Sequence, residues 1–198
     1  MSLIFKLRAR VGYTTENYGA VNDTRFRRVC AEVGILPFFF NAWDVAKPMA
    51  GQLQPGDYIE CDLQLCPWCE EKEDGSIHFA YKCNTPIKLI EEPAELGAYG
   101  KMSGTVTSLD VHVGCGKGNQ VIAVDTELDV SVKKQFGGRF NKKLYRVHLI
   151  VRQSDMDVLK LKKGDRIAFD GLVDPAIEDR ITFTKVFSVT PMGELLNV

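Results

Sequence analysis

The chain has 198 residues, 45% apolar and 26% charged, with a formal net charge of −1. That is an ordinary globular composition, able to bury one large core or two small ones. Runs of about 18 apolar residues are absent, and M-S-L-I-F-K-L-R-A-R alternates from the start, so neither a membrane helix nor a signal peptide is expected and a cytoplasmic protein is.

In chain order, Phe5, Leu7, Ala9 and Val11 alternate with Lys6, Arg8 and Arg10, the period of a strand with one buried and one basic face. Thr14 to Asp23 has the Asn, Gly and Asp content of a loop. Arg25 to Val33 and Pro37 to Trp43 read as the next two strands. Asp44 is placed as the N-cap of a short helical stretch through Leu53, kept irregular by Pro48 and Gly51. Asp57 to Leu65 and Ile77 to Leu89 complete five strands.

The same order then recurs. P-G-D-Y-I-E-C-D at Pro55 to Asp62 is echoed by K-G-D-R-I-A-F-D at Lys163 to Asp170, and the similarity extends through the flanking segments. Lys101 to Gly114 is a strand, Cys115 to Gln120 a turn, and Val121 to Val130 and Leu144 to Val151 are strands. Ser154 or Asp155 is placed as the cap of a helix to Lys162, with acids first and lysines last as the helix dipole favours. Asp165 to Val173 and Arg180 to Pro191 follow. Glu91 to Gly97 has the composition of a linker. Five strands with a helix between the third and fourth is the OB-fold order. The expectation is an all-β chain of two tandem OB-fold-like five-stranded Greek-key barrels, each with one short helix between strands 3 and 4. The first spans 1–93 with a CxxC hairpin loop, the second 98–198 with a basic loop.

Y-R-V-H-L-I-V from Tyr145, L-K-K-G-D-R-I-A-F-D-G-L-V from Leu161, I-T-F-T-K-V from Ile181 and M-G-E-L-L from Met192 resemble the third strand, helix, fourth strand and fifth strand of bacterial-type single-stranded-DNA-binding proteins. Phe38 to Leu65 resembles that block more faintly. That family usually has one OB-fold per chain and an acidic tail that recruits other proteins. This sequence has two such blocks and ends E-L-L-N-V, so recruitment through the C-terminus is not implied.

Charge is unevenly placed. Residues 1–96 hold 10 Lys and Arg against 14 Asp and Glu, net −4, while residues 97–198 hold 15 against 12, net +3. The segment S-V-K-K-Q-F-G-G-R-F-N-K-K from Ser131 to Lys143 combines Lys133, Lys134, Arg139, Lys142 and Lys143 with Phe136 and Phe140 and contains no acid. Cations that track phosphates and rings on which bases stack are what single-strand binding requires. Arg146 extends this patch. The bland alternative is a hairpin tip whose two Phe side chains fold back onto the barrel. Lys6, Arg8 and Arg10 with Arg25, Arg27 and Arg28 form a second candidate surface, or else an ordinary solvated face. Tyr13, Tyr18, Trp43, Trp68 and Tyr81 are further rings that could stack on bases, with packing the better reading for Tyr81.

Cys66 and Cys69 have C-x-x-C spacing, with His78 and Cys83 downstream. Strand parity argues against all four sharing a site. A hairpin centred near Lys72 would set Cys61 opposite Cys83 in the barrel and Cys66 opposite His78 near the loop. Zinc on Cys66, Cys69 and His78, a disulfide or redox pair, and free thiols all stay open. Glu70, Glu71, Glu73 and Asp74 beside them would repel phosphates. Catalytic strings fail: G-C-G-K-G at Gly114 lacks phosphate-loop spacing, Asp155 and Asp157 suit a first helical turn, and His78, His112 and His148 are scattered. The expected function is non-catalytic single-stranded DNA or RNA binding, with no cofactor, no membrane partner and self-association left open. The rivals are a protein-interaction module, consistent with the pI of 6.3, and a redox or zinc-dependent factor using Cys66 and Cys69.

Overall fold

The computed structural model describes residues 4–18, 25–33, 37–65, 68–71, 77–78, 80–109, 118–133, 139–175 and 181–192. At 17–18, 25, 68–71, 77–78, 128–133, 139–144 and 157–158 it describes the backbone course alone. The strands are β1 (Ile4–Tyr18), β2 (Arg25–Glu32), β3 (Pro37–Ala42), β4 (Tyr58–Leu65), β5 (Trp68–Glu71), β6 (Ile77–His78), β7 (Tyr81–Cys83) and β8 (Lys88–Ile90), followed by β9 (Gly97–Ser108), β10 (Asn119–Lys133), β11 (Arg139–Arg152), β12 (Arg166–Val173) and β13 (Ile181–Pro191). Helix α1 (Lys47–Ala50) follows a 3-10 turn at Asp44–Ala46, and α2 is Gln153–Leu159.

Strand β1 runs antiparallel to β2, β2 to β3, β3 parallel to β7, β7 antiparallel to β4, and β4 antiparallel to β1. That cycle is a closed five-stranded barrel, and closure leaves these strands without free edges. In the second half β9, β10, β11, β13 and β12 pair in the same cyclic order and the same senses, with β11 to β13 the parallel pair and β12 returning to β9. The two sets join where Lys6, Leu7 and Arg8 of β1 lie in register with Tyr99, Ala98 and Gly97 of β9.

The duplicated P-G-D and K-G-D segments make the same hydrogen bonds. Gly56 and Gly164 both have φ of +97°, a left-handed conformation that glycine adopts without steric cost. Asp57 Oδ2 accepts from Gln54 N at 2.7 Å, and Asp165 Oδ2 accepts from Lys162 N at 2.7 Å. Val11 N donates to Asp57 O at 2.8 Å, as Val106 N does to Asp165 O at 2.9 Å; Gly56 N and Gly164 N return bonds to Val11 O and Val106 O, each at 2.8 Å.

The alternation expected of β1 holds, with Phe5, Leu7, Ala9 and Val11 buried and Lys6, Arg8 and Arg10 exposed. Phe5 packs edge-on to Tyr81 at 6.2 Å between centroids and also meets Gly100 of β9, where an added Cβ would come within 2.5 Å of its ring. A single apolar cluster therefore runs through both halves.

Several boundaries differ from expectation. Residues Thr14 to Tyr18 are strand, because a bulge at Gly12 resets the register and lets β1 continue along β2. The cap of the first helical turn is Trp43, not Asp44, which lies inside the turn at φ +43° and makes no capping bond. Arg152, not Ser154 or Asp155, occupies the N-cap of α2, and the helix stops at Leu159 because Lys160 turns left-handed at φ +48°, so the lysines lie beyond it. The fifth strand of the first half breaks into β6, β7 and β8. Pro86, which cannot donate to a ladder, lies between the last two. Ser131 to Lys143 is mostly strand: β10 runs to Lys133 and β11 starts at Arg139.

Candidate nucleic-acid interface

The basic row of β1 stands among carboxylates. Glu60 of β4, in register with Arg8, accepts from Arg8 Nε at 2.9 Å and lies 3.8 Å from Lys6 Nζ. Arg10 Nη1 donates to Glu32 at 3.2 Å. The Arg8 hydrogen bond holds the Glu60 carboxyl below its ordinary range. Exposure is unequal within the pairs: the Lys6 and Arg8 side chains are 55% and 52% accessible, Glu60 only 17%. The cations thus form the outer layer.

On β2, adjacent residues point to opposite faces. Arg28 is exposed on the outer face, whereas Arg27 is half-buried, bridged to Glu16 at 3.5 Å and close to where a side chain at Gly51 would stand. The expected cluster of Arg25, Arg27 and Arg28 is therefore not one row; the Arg25 side chain lies outside the described residues. Rings accompany Arg28 instead. The bulge at Gly12 turns Tyr13 outward, in register with Cys30 of β2, which is in register with Phe39 of β3. Tyr13 meets Phe39 edge-on at 6.1 Å, and Arg28 lies 4.5 Å from the Phe39 ring centroid. Further along, Phe26 and Trp43 pair at 4.6 Å. The outer face of β1, β2 and β3 is thus an aromatic platform with a guanidinium on it. Phe39 and Phe26 were not among the expected site residues. Their signal was alternation within Phe38-Phe39-Phe40: Phe38 and Phe40 are buried, which turns Phe39 out.

In the second half, β10 and β11 form a ribbon with Lys133 in register with Arg139 and Val130 with Lys142. The side chains of Lys133, Arg139, Phe140, Lys142 and Lys143, and all of Lys134 and Phe136, lie outside the described residues. Arg146 is exposed and donates to Asp125 at 3.1 Å, a partner that sequence separation concealed. The ribbon has a neighbour: β5 runs parallel to β10, Trp68 in register with Ser131, Cys69 with Val132 and Glu70 with Lys133. The acidic strand of the first half therefore lies along the basic ribbon of the second.

The cyclic strand order, repeated in both halves and bearing an outward aromatic face, is the deciding comparison. The fold resembles that of the single-stranded DNA binding protein from Thermus aquaticus. The two share a TM-score of 0.58 at 13% identity, covering 97% of this chain and 93% of that one. A deletion mutant of the Thermus aquaticus protein gives 0.59 at 14% identity, covering 97% and 94%. The sequence itself matches no family model and no curated protein. The likeness to the Thermus aquaticus protein spans both halves, so it is one of overall architecture.

The cysteines follow expectation in part. Strand β5 pairs with β6 so that His78 is opposite Glu70, not Cys66. Gln64 is opposite Lys82, and Cys61 and Cys83, expected to face each other in the barrel, are both buried there and share a side-chain hydrogen bond. These registers centre the hairpin one or two residues beyond Lys72, so Cys66 and His78 are not opposite each other. The side chains of Cys66, Cys69 and His78 lie outside the described residues; among the described residues no cluster of three metal-ligating side chains occurs. Cys61 and Cys83 are both buried and free. A hydrogen bond to Cys83 and burial push the Cys61 thiol well above its ordinary range, while Cys83 donates to Thr85 O at 3.3 Å. Burial, then Glu32, raises Cys30. Tyr81 is core, as its phase implied. Among the described residues no helix is long and apolar enough to cross a membrane.

Proposed function

We propose that the chain is a tandem pair of OB-fold barrels, 1–93 and 98–198, that binds single-stranded nucleic acid, DNA first, without catalysing a reaction. The observation that carries this reading is the outward Phe39 ring, flanked by Tyr13 and covered by Arg28. The face of strands 2 and 3 is where OB-folds take oligonucleotides, and a half-buried Phe39 beside the exposed Tyr13 and a guanidinium offers planes on which bases stack irrespective of their identity. The identical Asp57 and Asp165 turns and the repeated strand cycle support the tandem assignment.

In this reading Arg10 and Arg28 neutralise phosphates at the platform. Lys133, Lys134, Arg139, Lys142 and Lys143 of the Ser131 to Lys143 segment do so in the second half, with Phe136 and Phe140 as additional stacking rings and Arg146 extending the patch. No cofactor is needed. The test is titration of a labelled oligo-dT with the full chain at low and rising salt. Saturable binding that weakens steeply with salt is expected; no binding at low ionic strength overturns the reading.

A further inference from the structure

Past the platform, the outward face of β1 continues over Arg10, Arg8 and Lys6 into the second half. Lys6 is in register with Tyr99 of β9, Tyr99 with Leu172 of β12, and Leu172 with Lys185 of β13. On that surface the Tyr99 and Phe187 rings are stacked, centroids 6.1 Å apart and planes 22° from parallel. Phe187 is 48% exposed, a large ring on the outside of a sheet where it has no core to fill. Lys101 Nζ lies 5.9 Å from the Tyr99 centroid and Lys185 Nζ 5.4 Å from that of Phe187.

Carboxylates accompany these cations too, yet they are mostly the less exposed partners. Lys101 is 72% accessible against 21% for Asp170, 4.0 Å away. Lys185, bonded to Glu95 at 2.6 Å, is matched almost evenly, 54% against 49%. A polyanion approaching from solvent meets ammonium and guanidinium groups before most of the acids. Rings presented with cations around them are the chemistry of base stacking combined with phosphate neutralisation.

We infer that Tyr99 and Phe187 form a second stacking site for the same single strand, reached along β1 over Arg10, Arg8 and Lys6, so that one strand crosses from the first ring of strands to the second. This rests on the single-strand reading above. From Tyr13 to Lys6 the path covers about 23 Å at strand spacing, before it crosses β9 and β12 to Phe187 on β13. An oligonucleotide of about 4 nucleotides, the short end of a single OB-fold site, cannot occupy both platforms; one of about 25 can.

The experiment compares anisotropy titrations of oligo-dT of about 4 and about 25 nucleotides, sizes that bracket a single OB-fold site. It uses the wild-type chain, a Tyr99→Leu/Phe187→Leu variant and a Phe39→Leu variant. The double variant is expected to weaken the long oligonucleotide about tenfold and to leave the short one within about twofold, whereas Phe39→Leu weakens both. Unchanged long-strand affinity in the double variant, with Phe39→Leu still weakening both, overturns the second site and leaves the single-strand reading standing. Absence of wild-type binding at either length overturns both. Should the double variant lose its native circular dichroism, Lys101→Glu/Lys185→Glu decides: selective loss on the long strand supports the path, and no loss overturns it.

Discussion

The guanidinium carbon of Arg28 lies 4.5 Å from the centroid of the Phe39 ring, with both residues on the outward face of neighbouring strands. An arginine held there orients the ring and offers its own plane to a base. Phe39→Leu is expected to weaken oligo-dT binding about tenfold, since base stacking on a ring contributes about 1–3 kcal/mol. Arg28→Lys should weaken it less and keep most of the salt dependence, because the charge survives while the planar fork is lost. Equilibrium titrations at two salt concentrations check both.

Replacing Lys133, Lys134, Arg139, Lys142 and Lys143 by Ala should flatten the dependence of log K on log salt. The slope is about −0.7 per phosphate contacted on a single strand, so each ribbon cation that touches the backbone removes roughly that much. An unchanged slope would show that these cations do not contact the strand's phosphates.

Glu60 answers to both Lys6 and Arg8. Its carboxyl is held low, so the stability it contributes is present above the ordinary carboxylate range and lost as pH falls through its folded value. Glu60→Gln should therefore lower stability to urea at neutral pH, with the difference from wild type shrinking in acid. The same variant should bind oligo-dT more tightly, having freed two cations. Urea melts across pH and one binding titration test the two effects separately.

The turns at Asp57 and Asp165 make matching bonds in unconnected places. Asp57→Ala and Asp165→Ala are each expected to cost about 1 kcal/mol. With no shared partner the losses should add in the double variant, as chemical denaturation would show.

Cys30, Cys61 and Cys83 are buried, and iodoacetamide should leave them unlabelled until the chain unfolds, as peptide mass mapping can establish. The Cys61 thiol is raised above the ordinary value of 9.0. The folded state therefore keeps its proton where the unfolded chain gives it up, and stability should decline as pH climbs past about 9. Cys61→Ser should flatten that decline.

Periodicity made much of this architecture legible. The alternation of Phe5 through Val11 and the paired P-G-D and K-G-D segments fixed strand order, because burial and turn chemistry are local properties. What escaped was set by long-range pairing. The bulge at Gly12, which decides that Tyr13 faces out, lies against Cys30 of β2, whose Sγ would be 3.3 Å from a Cβ added at Gly12. The acids neutralising Lys6, Arg8 and Arg10 come from strands 22 or more residues away. Local sequence suggests a loop at Ser131 to Lys143 because Gly137 and Gly138 outweigh the strand character of Val132 and Phe140. The companion strand β5 belongs to the other half of the chain, where no local pattern could announce it.

Phe5 lodges where Gly100 has no side chain, so the seam between the halves is built from interior, not from tethered surfaces. Severing the chain in the stretch between β8 and β9 would leave an aromatic ring and a length of β1 backbone bare on one fragment and a vacant notch on the other. The pieces should then seek each other, and a mixture of the two is expected to regain, on a gel-filtration column, the elution of the uncut chain.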